Sequence, residues 1–150
     1  DISVTIAQNI KLFVNNKKQI SILNNVREKT ILYFDEKMIN SVIRNLLTNA
    51  IKFSKNNSSV LIDIIKGTEG FDTILVKDNG IGIPEEILKK LFIVGEKIGR
   101  LGTMGEESTG LGLLLCKEFI EKHKGKIWVE SKENVGSTFY FSLPNRIITN

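Results

Sequence analysis

Asn45, Asn49 and Lys52 stand at i, i+4 and i+7 among the apolar residues Val42, Ile43, Leu46, Leu47 and Ala50, so they form one polar stripe on a helix. Two asparagines one turn apart each cost a helix roughly a few tenths of a kcal/mol relative to alanine, which calls for a compensating role. Their amide oxygens are hard ligands suited to Mg²⁺, an ion that takes few protein ligands beside nucleotide phosphates. A solvated polar face is the alternative for this helix taken alone.

Asp78 closes an apolar strand and shares its phase with Ile74 and Val76, which turns its carboxylate toward the core. A buried carboxylate needs donors, and the exocyclic amine of adenine is one that guanine does not offer in that place. In the following Asn79-Gly80-Ile81-Gly82-Ile83-Pro84, the glycines allow positive φ and a close approach of backbone to a flat ligand. Asp-Asn-Gly read alone is also a common turn. A third run, Ser108-Thr109-Gly110-Leu111-Gly112-Leu113, opens an amphipathic stretch, where helix-start N–H groups and the helix dipole favour polyphosphate. No Gly-Lys-Ser/Thr follows and no strand directly precedes it, which disfavours both the Walker loop and the dinucleotide fingerprint. Together the three stretches point to a nucleoside triphosphate site. His123, on the apolar side of its helix with Cys116, reads as a packed C-terminal histidine whose charge the helix end favours, and Cys116 as a small core residue. Lys97 and Arg100 are cations available to a γ-phosphate or to solvent.

The elements that must position these residues follow from periodicity. Val4, Ile6, Ala7, Ile10, Phe13 and Val14 predict a helix over 4–18, with strands over 19–25 and 30–34 around the turn Arg27-Glu28-Lys29. Asp35 reads as the N-cap of a helix through Phe53, and 60–66 and 71–77 as a hairpin. Pro84, Glu85 and Glu86 start a short helix to about Phe92, and the glycines spread through 93–109 predict a flexible lid. A helix over 110–123 and strands over 126–132 and 137–143 complete the chain, the last with Phe139, Phe141 and Leu143 in one phase. Strands and helices without strict alternation predict an α+β two-layer sandwich, with helices on one face of a mostly antiparallel sheet.

The 150 residues suit a single domain, and one cysteine with one histidine excludes a disulfide framework or a Cys/His zinc cluster within the chain. A reducing, cytoplasmic setting is expected. The net charge of +4 is scattered, without a basic block, so nucleic acid binding is not expected; nor is membrane contact, since no apolar run approaches the ~20 residues of a span.

Taken in order, these segments resemble the catalytic ATP-binding domain of bacterial two-component sensor histidine kinases, in the superfamily that includes gyrase, Hsp90 and MutL. The N box is similar to Asn45–Phe53, the first glycine box to Asp78–Gly82, the F box to Leu91-Phe92, the second glycine box to Gly110–Gly112, and a last glycine motif to Gly136-Ser137-Thr138-Phe139. The resemblance implies a Bergerat fold binding ATP and Mg²⁺. It makes Asn49 the principal Mg²⁺ ligand with Asn45 beside it, Asp78 the acceptor for the adenine amine, and Phe53 a neighbour of the base. Lys52 would reach phosphate or ribose, and Asn45, Asn49 and Lys52 form the catalytic set. Gly80, Gly82 and Ile83, the lid residues Gly102, Thr103, Gly105 and Thr109, then Gly110, Leu111, Gly112 and Thr138 complete the nucleotide-contacting set. The implied activity is transfer of the γ-phosphoryl group to a histidine on a separate dimerisation domain, which serves a response regulator. This chain carries no such acceptor motif, so the domain is expected to be monomeric and unable to phosphorylate itself. Its parent chain is one that an inner-membrane anchor could hold. A non-catalytic ATP-responsive module and an anti-sigma-type serine kinase are the alternatives. Lys124 departs from the pattern, standing where a glycine is frequent.

Overall fold

A computed structural model describes residues 1–92 and 111–147. Five strands, β1 (Ser21–Asn24), β2 (Ser59–Ile65), β3 (Phe71–Asp78), β4 (Ile127–Lys132) and β5 (Gly136–Pro144), form one sheet in the order β1-β2-β3-β5-β4, and helices pack on one of its faces. The α+β two-layer expectation holds, with one parallel pair, β1 against β2, in an otherwise antiparallel sheet.

Helix α2 (Glu36–Phe53) is the central element. Asp35 caps it by accepting from Met38 N, and its buried stripe of Ile39, Val42, Ile43, Leu46, Leu47 and Ala50 lies in the core. At its other end the buried Lys18 ammonium donates to Ile51 O at 3.0 Å and to Lys52 O, satisfying last-turn carbonyls and opposing the negative end of the helix dipole. Strands β2 (Ser59–Ile65) and β3 (Phe71–Asp78) form the expected hairpin. Strands β4 (Ile127–Lys132) and β5 (Gly136–Pro144) form the second, and Phe139, Phe141 and Leu143 of β5 enter the core together. The short helix α3 (Glu85–Leu88) starts after Pro84, and α4 (Leu111–Lys122) packs on α2.

The N-terminal segment departs from expectation. Helix α1 (Ile2–Lys11) ends seven residues before Lys18, and its buried face is Ile2, Ser3, Thr5, Ile6 and Asn9, whereas Val4 and Val14 are exposed. Asn9 tolerates burial because its Nδ2 donates to Thr5 O and to Asn40 Oδ1 on α2, a compensation that a hydropathy pattern does not register. Strand β1 is shorter than expected, Ser21–Asn24. Residues 30–34 join no sheet: the turn forms at Lys29 with φ 61°, and the segment after it is tied through Thr30 O to Ile2 N and through Tyr33 N to Pro144 O.

Candidate active site

The end of α2 and the end of β3 are held together at backbone distance. Ile81 N donates to Phe53 O, Ser54 and Gly80 form an isolated bridge, and a Cβ on Gly80 would lie 2.1 Å from Phe53 O, so only glycine permits this approach. Gly82 adopts φ +68° and lies against Lys132 O, where any side chain would collide. Both glycines shape the floor beside Asp78.

Asp78 is 4% exposed, as the alternation of β3 requires. Its Oδ1 accepts from Gly80 N at 2.9 Å and from Ser137 N at 3.3 Å, so two backbone amides fix the carboxylate and offset part of its desolvation. Asn45, Asn49 and Lys52 are all half-buried along α2. The Asn45 Nδ2 donates to Ser41 O, which turns Oδ1 toward the first turn of α4, where a Cβ on Gly112 would meet it at 2.6 Å. The side chain of Asn49, one turn further on, has no hydrogen-bond partner among the described residues. Helix α2 thus joins the start of α4, through Asn45, to Gly80 and Asp78, through Phe53, with Asn49 between.

Ile83 is in the hydrophobic core and its N–H donates to Ser131 Oγ at 2.8 Å. Thr138 pairs with Lys77 and Glu130 across the strands, on the face of β5 opposite Phe139 and Phe141. Its neighbour Ser137, directly opposite Asp78, is the residue of that motif on the Asp78 side. Strict alternation along β5 carries that signal, since Ser137 shares the phase of Phe139 and Phe141. Leu111 begins α4. Gly102, Thr103, Gly105, Thr109 and Gly110, the lid over 93–109, and Lys97 and Arg100 lie outside the described residues.

His123 is a clamp between helices. Its Nδ1 donates to Phe119 O at 2.7 Å, and its Nε2 accepts from Asp35 N at 2.9 Å, so the packed histidine expected there joins the end of α4 to the N-cap of α2. Cys116 is buried, and that burial pushes its thiol up to about 12.

The expected ligand chemistry fits these donor sets: a fixed carboxylate for an amine-bearing base edge, and amide oxygens on a helix for a hard cation. The family model of the histidine kinase-, DNA gyrase B- and HSP90-like ATPases matches residues 34–147. The adaptive-response sensory kinase SasA of Gloeothece citriformis (strain PCC 7424) is 41% identical over 113 residues, covering 75% of this chain and 28% of that protein. The phytochrome-like protein Cph1 of Synechocystis sp. (strain ATCC 27184 / PCC 6803 / Kazusa) is 40% identical over 111 residues, covering 73% of this chain and 14% of that protein. The chain thus spans less than a third of either relative. Among solved structures, a catalytic domain of histidine kinase ThkA superposes with a TM-score of 0.78 at 31% identity, covering 95% of this chain and 91% of that one. The mycobacterial sensor histidine kinase MprB shares the fold, with a TM-score of 0.80 at 23% identity over 99% of this chain and 97% of that one. With the family model covering most of its length and the fold matching throughout, the chain belongs to the histidine kinase-, DNA gyrase B- and HSP90-like ATPase family, as a catalytic domain of the sensor histidine kinase kind.

Proposed function

We propose that this domain binds Mg·ATP and donates the γ-phosphoryl group to a histidine on a separate dimerisation domain, from which a response regulator is served. The observation that carries the reading is the buried Asp78 carboxylate, fixed by Gly80 N and Ser137 N beside the asparagine stripe of α2. Asp78 accepts from the amine of adenine and so selects the base, and Gly80 and Gly82 let the base lie against the backbone. Asn49 and Asn45 supply amide oxygens toward the metal, and Lys52 and the first turn of α4 oppose phosphate charge. A bound Mg²⁺ would neutralise charge on the phosphates during transfer. What the chain itself contributes is positioning and charge complementarity, which together are most of what phosphoryl transfer requires of a protein.

An acceptor in trans also follows from His123, the one histidine of the chain, whose two ring nitrogens are both engaged in joining α4 to α2. Transfer breaks the bond between the γ-phosphorus and the bridging oxygen, forms a bond to a ring nitrogen of the acceptor, and releases ADP. The test uses γ-labelled ATP, this chain and a separately supplied dimerisation domain. Acid-labile label on the acceptor histidine supports the reading. Label on a serine, or nucleotide binding without transfer, would favour the serine kinase or the non-catalytic module.

A further inference from the structure

Ser131, on the edge strand β4, lies outside the nucleotide-contacting set, yet its hydroxyl gathers three segments of chain. Its Oγ accepts from Ile83 N at 2.8 Å, donates to Gly136 O at 3.0 Å and lies 2.7 Å from Ser137 Oγ. A serine hydroxyl has one proton. With that proton on Gly136 O, the Ser137 hydroxyl must donate to Ser131, so the rotor of Ser137 is fixed as well. Ser137 N in turn donates to Asp78 Oδ1, and Asn134 N holds Ile81 O at 2.7 Å from the same turn.

We propose that Ser131 is a positioning residue for base recognition: its hydroxyl sets the distance between the Gly80–Ile83 loop and the start of β5, and through Ser137 it fixes the Asp78 carboxylate. This rests on the base-binding role given above to Asp78. The geometry says why a hydroxyl is needed there. Ile83 N–H is partly buried and Ile83's side chain is anchored in the core, so without Ser131 Oγ this donor has no acceptor in place and the loop relaxes away from β4. Gly82, at φ +68° and against Lys132 O, would move with it. Because Ser131 acts only at the base end, its loss is felt equally by every adenine nucleotide, whatever the length of the phosphate chain.

The experiment is calorimetric titration of this chain with Mg·ATP and with Mg·ADP, for the native sequence, Ser131→Ala, Ser131→Thr and Asp78→Asn, with melting temperatures recorded. The expected result is a Kd raised about fivefold to tenfold in Ser131→Ala, by the same factor for ATP and ADP, which is the loss of one well-made hydrogen bond. Ser131→Thr keeps the hydroxyl, suits a strand, and should bind within about twofold of the native chain. A Ser131→Ala Kd within about twofold of native, a loss that ATP shows and ADP does not, or a threonine variant as weak as the alanine one overturns the assignment; so does a lowered melting temperature with unchanged affinity. Asp78→Asn separates the two levels of the account. If it loses binding while Ser131→Ala does not, only the positioning role falls; if it binds normally, the base reading falls and takes the positioning role with it.

Discussion

A carboxylate at 4% exposure needs donors, and Gly80 N and Ser137 N are two that meet Asp78. Asn49 is its counterpart on α2, half-buried, its side chain without a hydrogen-bond partner among the described residues. Asn49→Asp should therefore leave the melting temperature within about 2 °C, while a charge facing the phosphates raises the Kd for ATP by at least about 30-fold; paired melting and titration curves check both halves. Cys116 makes the opposite case, since its thiol is buried and pushed up to about 12. It should resist alkylation at neutral pH in the native chain and react fully once the chain is unfolded, as mass spectrometry would show.

The end of α4 shows an element closing against the preference of its sequence. Gly125 N donates to Ile120 O and Lys124 N to Glu121 O, the paired bonds of a Schellman turn, with Lys124 in the left-handed region at φ 62°. A glycine there removes that strain, so Lys124→Gly should stabilise by about 0.5–1 kcal/mol, read as a raised denaturation midpoint. Where one period rules, the elements are legible: α2, with Asp35 capping it and one unbroken apolar stripe, begins and ends where expected, as do the four strands β2 to β5 to within a residue or so. Helix α1 escapes its apolar pattern because the buried Asn9 amide donates to Thr5 O and to Asn40 Oδ1, a tertiary compensation invisible to hydropathy. Residues 30–34 have strand composition but find no sheet edge to join, and β-propensity yields to that context. Thr138 stands one position away from the residue that faces Asp78, and period-2 alternation along β5 distinguishes the two. The asparagine stripe and the phase of Asp78 need no tertiary information, and those two are where sequence and geometry agree most closely.

Across the whole molecule, two buried carboxylates, Asp72 and the proposed base acceptor Asp78, stand at opposite ends of the central strand β3. Asp72, at its start, is buried and receives Gly67 N at 3.0 Å, Asn145 Nδ2 at 2.7 Å and the Lys66 ammonium at 3.0 Å. Burial alone would raise its pKa, but these donors more than offset it and hold the carboxyl below its ordinary 3.8. The unfolded chain then binds the proton more readily, so this contribution to stability is complete above that ordinary value and fades as pH falls through the lower native one. Denaturation midpoints between about pH 6 and about pH 3 should fall more steeply in the native sequence than in Asp72→Asn, which is less stable at neutral pH by about 1–3 kcal/mol and still binds nucleotide. At the other end of β3, Asp78 is the proposed acceptor for the base, and calorimetric titration of Mg·ATP into the native chain and Asp78→Asn decides whether it is. The asparagine keeps an oxygen for Gly80 N and Ser137 N and replaces the other carboxylate oxygen with a donor, so the fold should persist while affinity falls by at least about 100-fold. Equal affinity in the two folded proteins, or no binding by the native chain, would contradict the account.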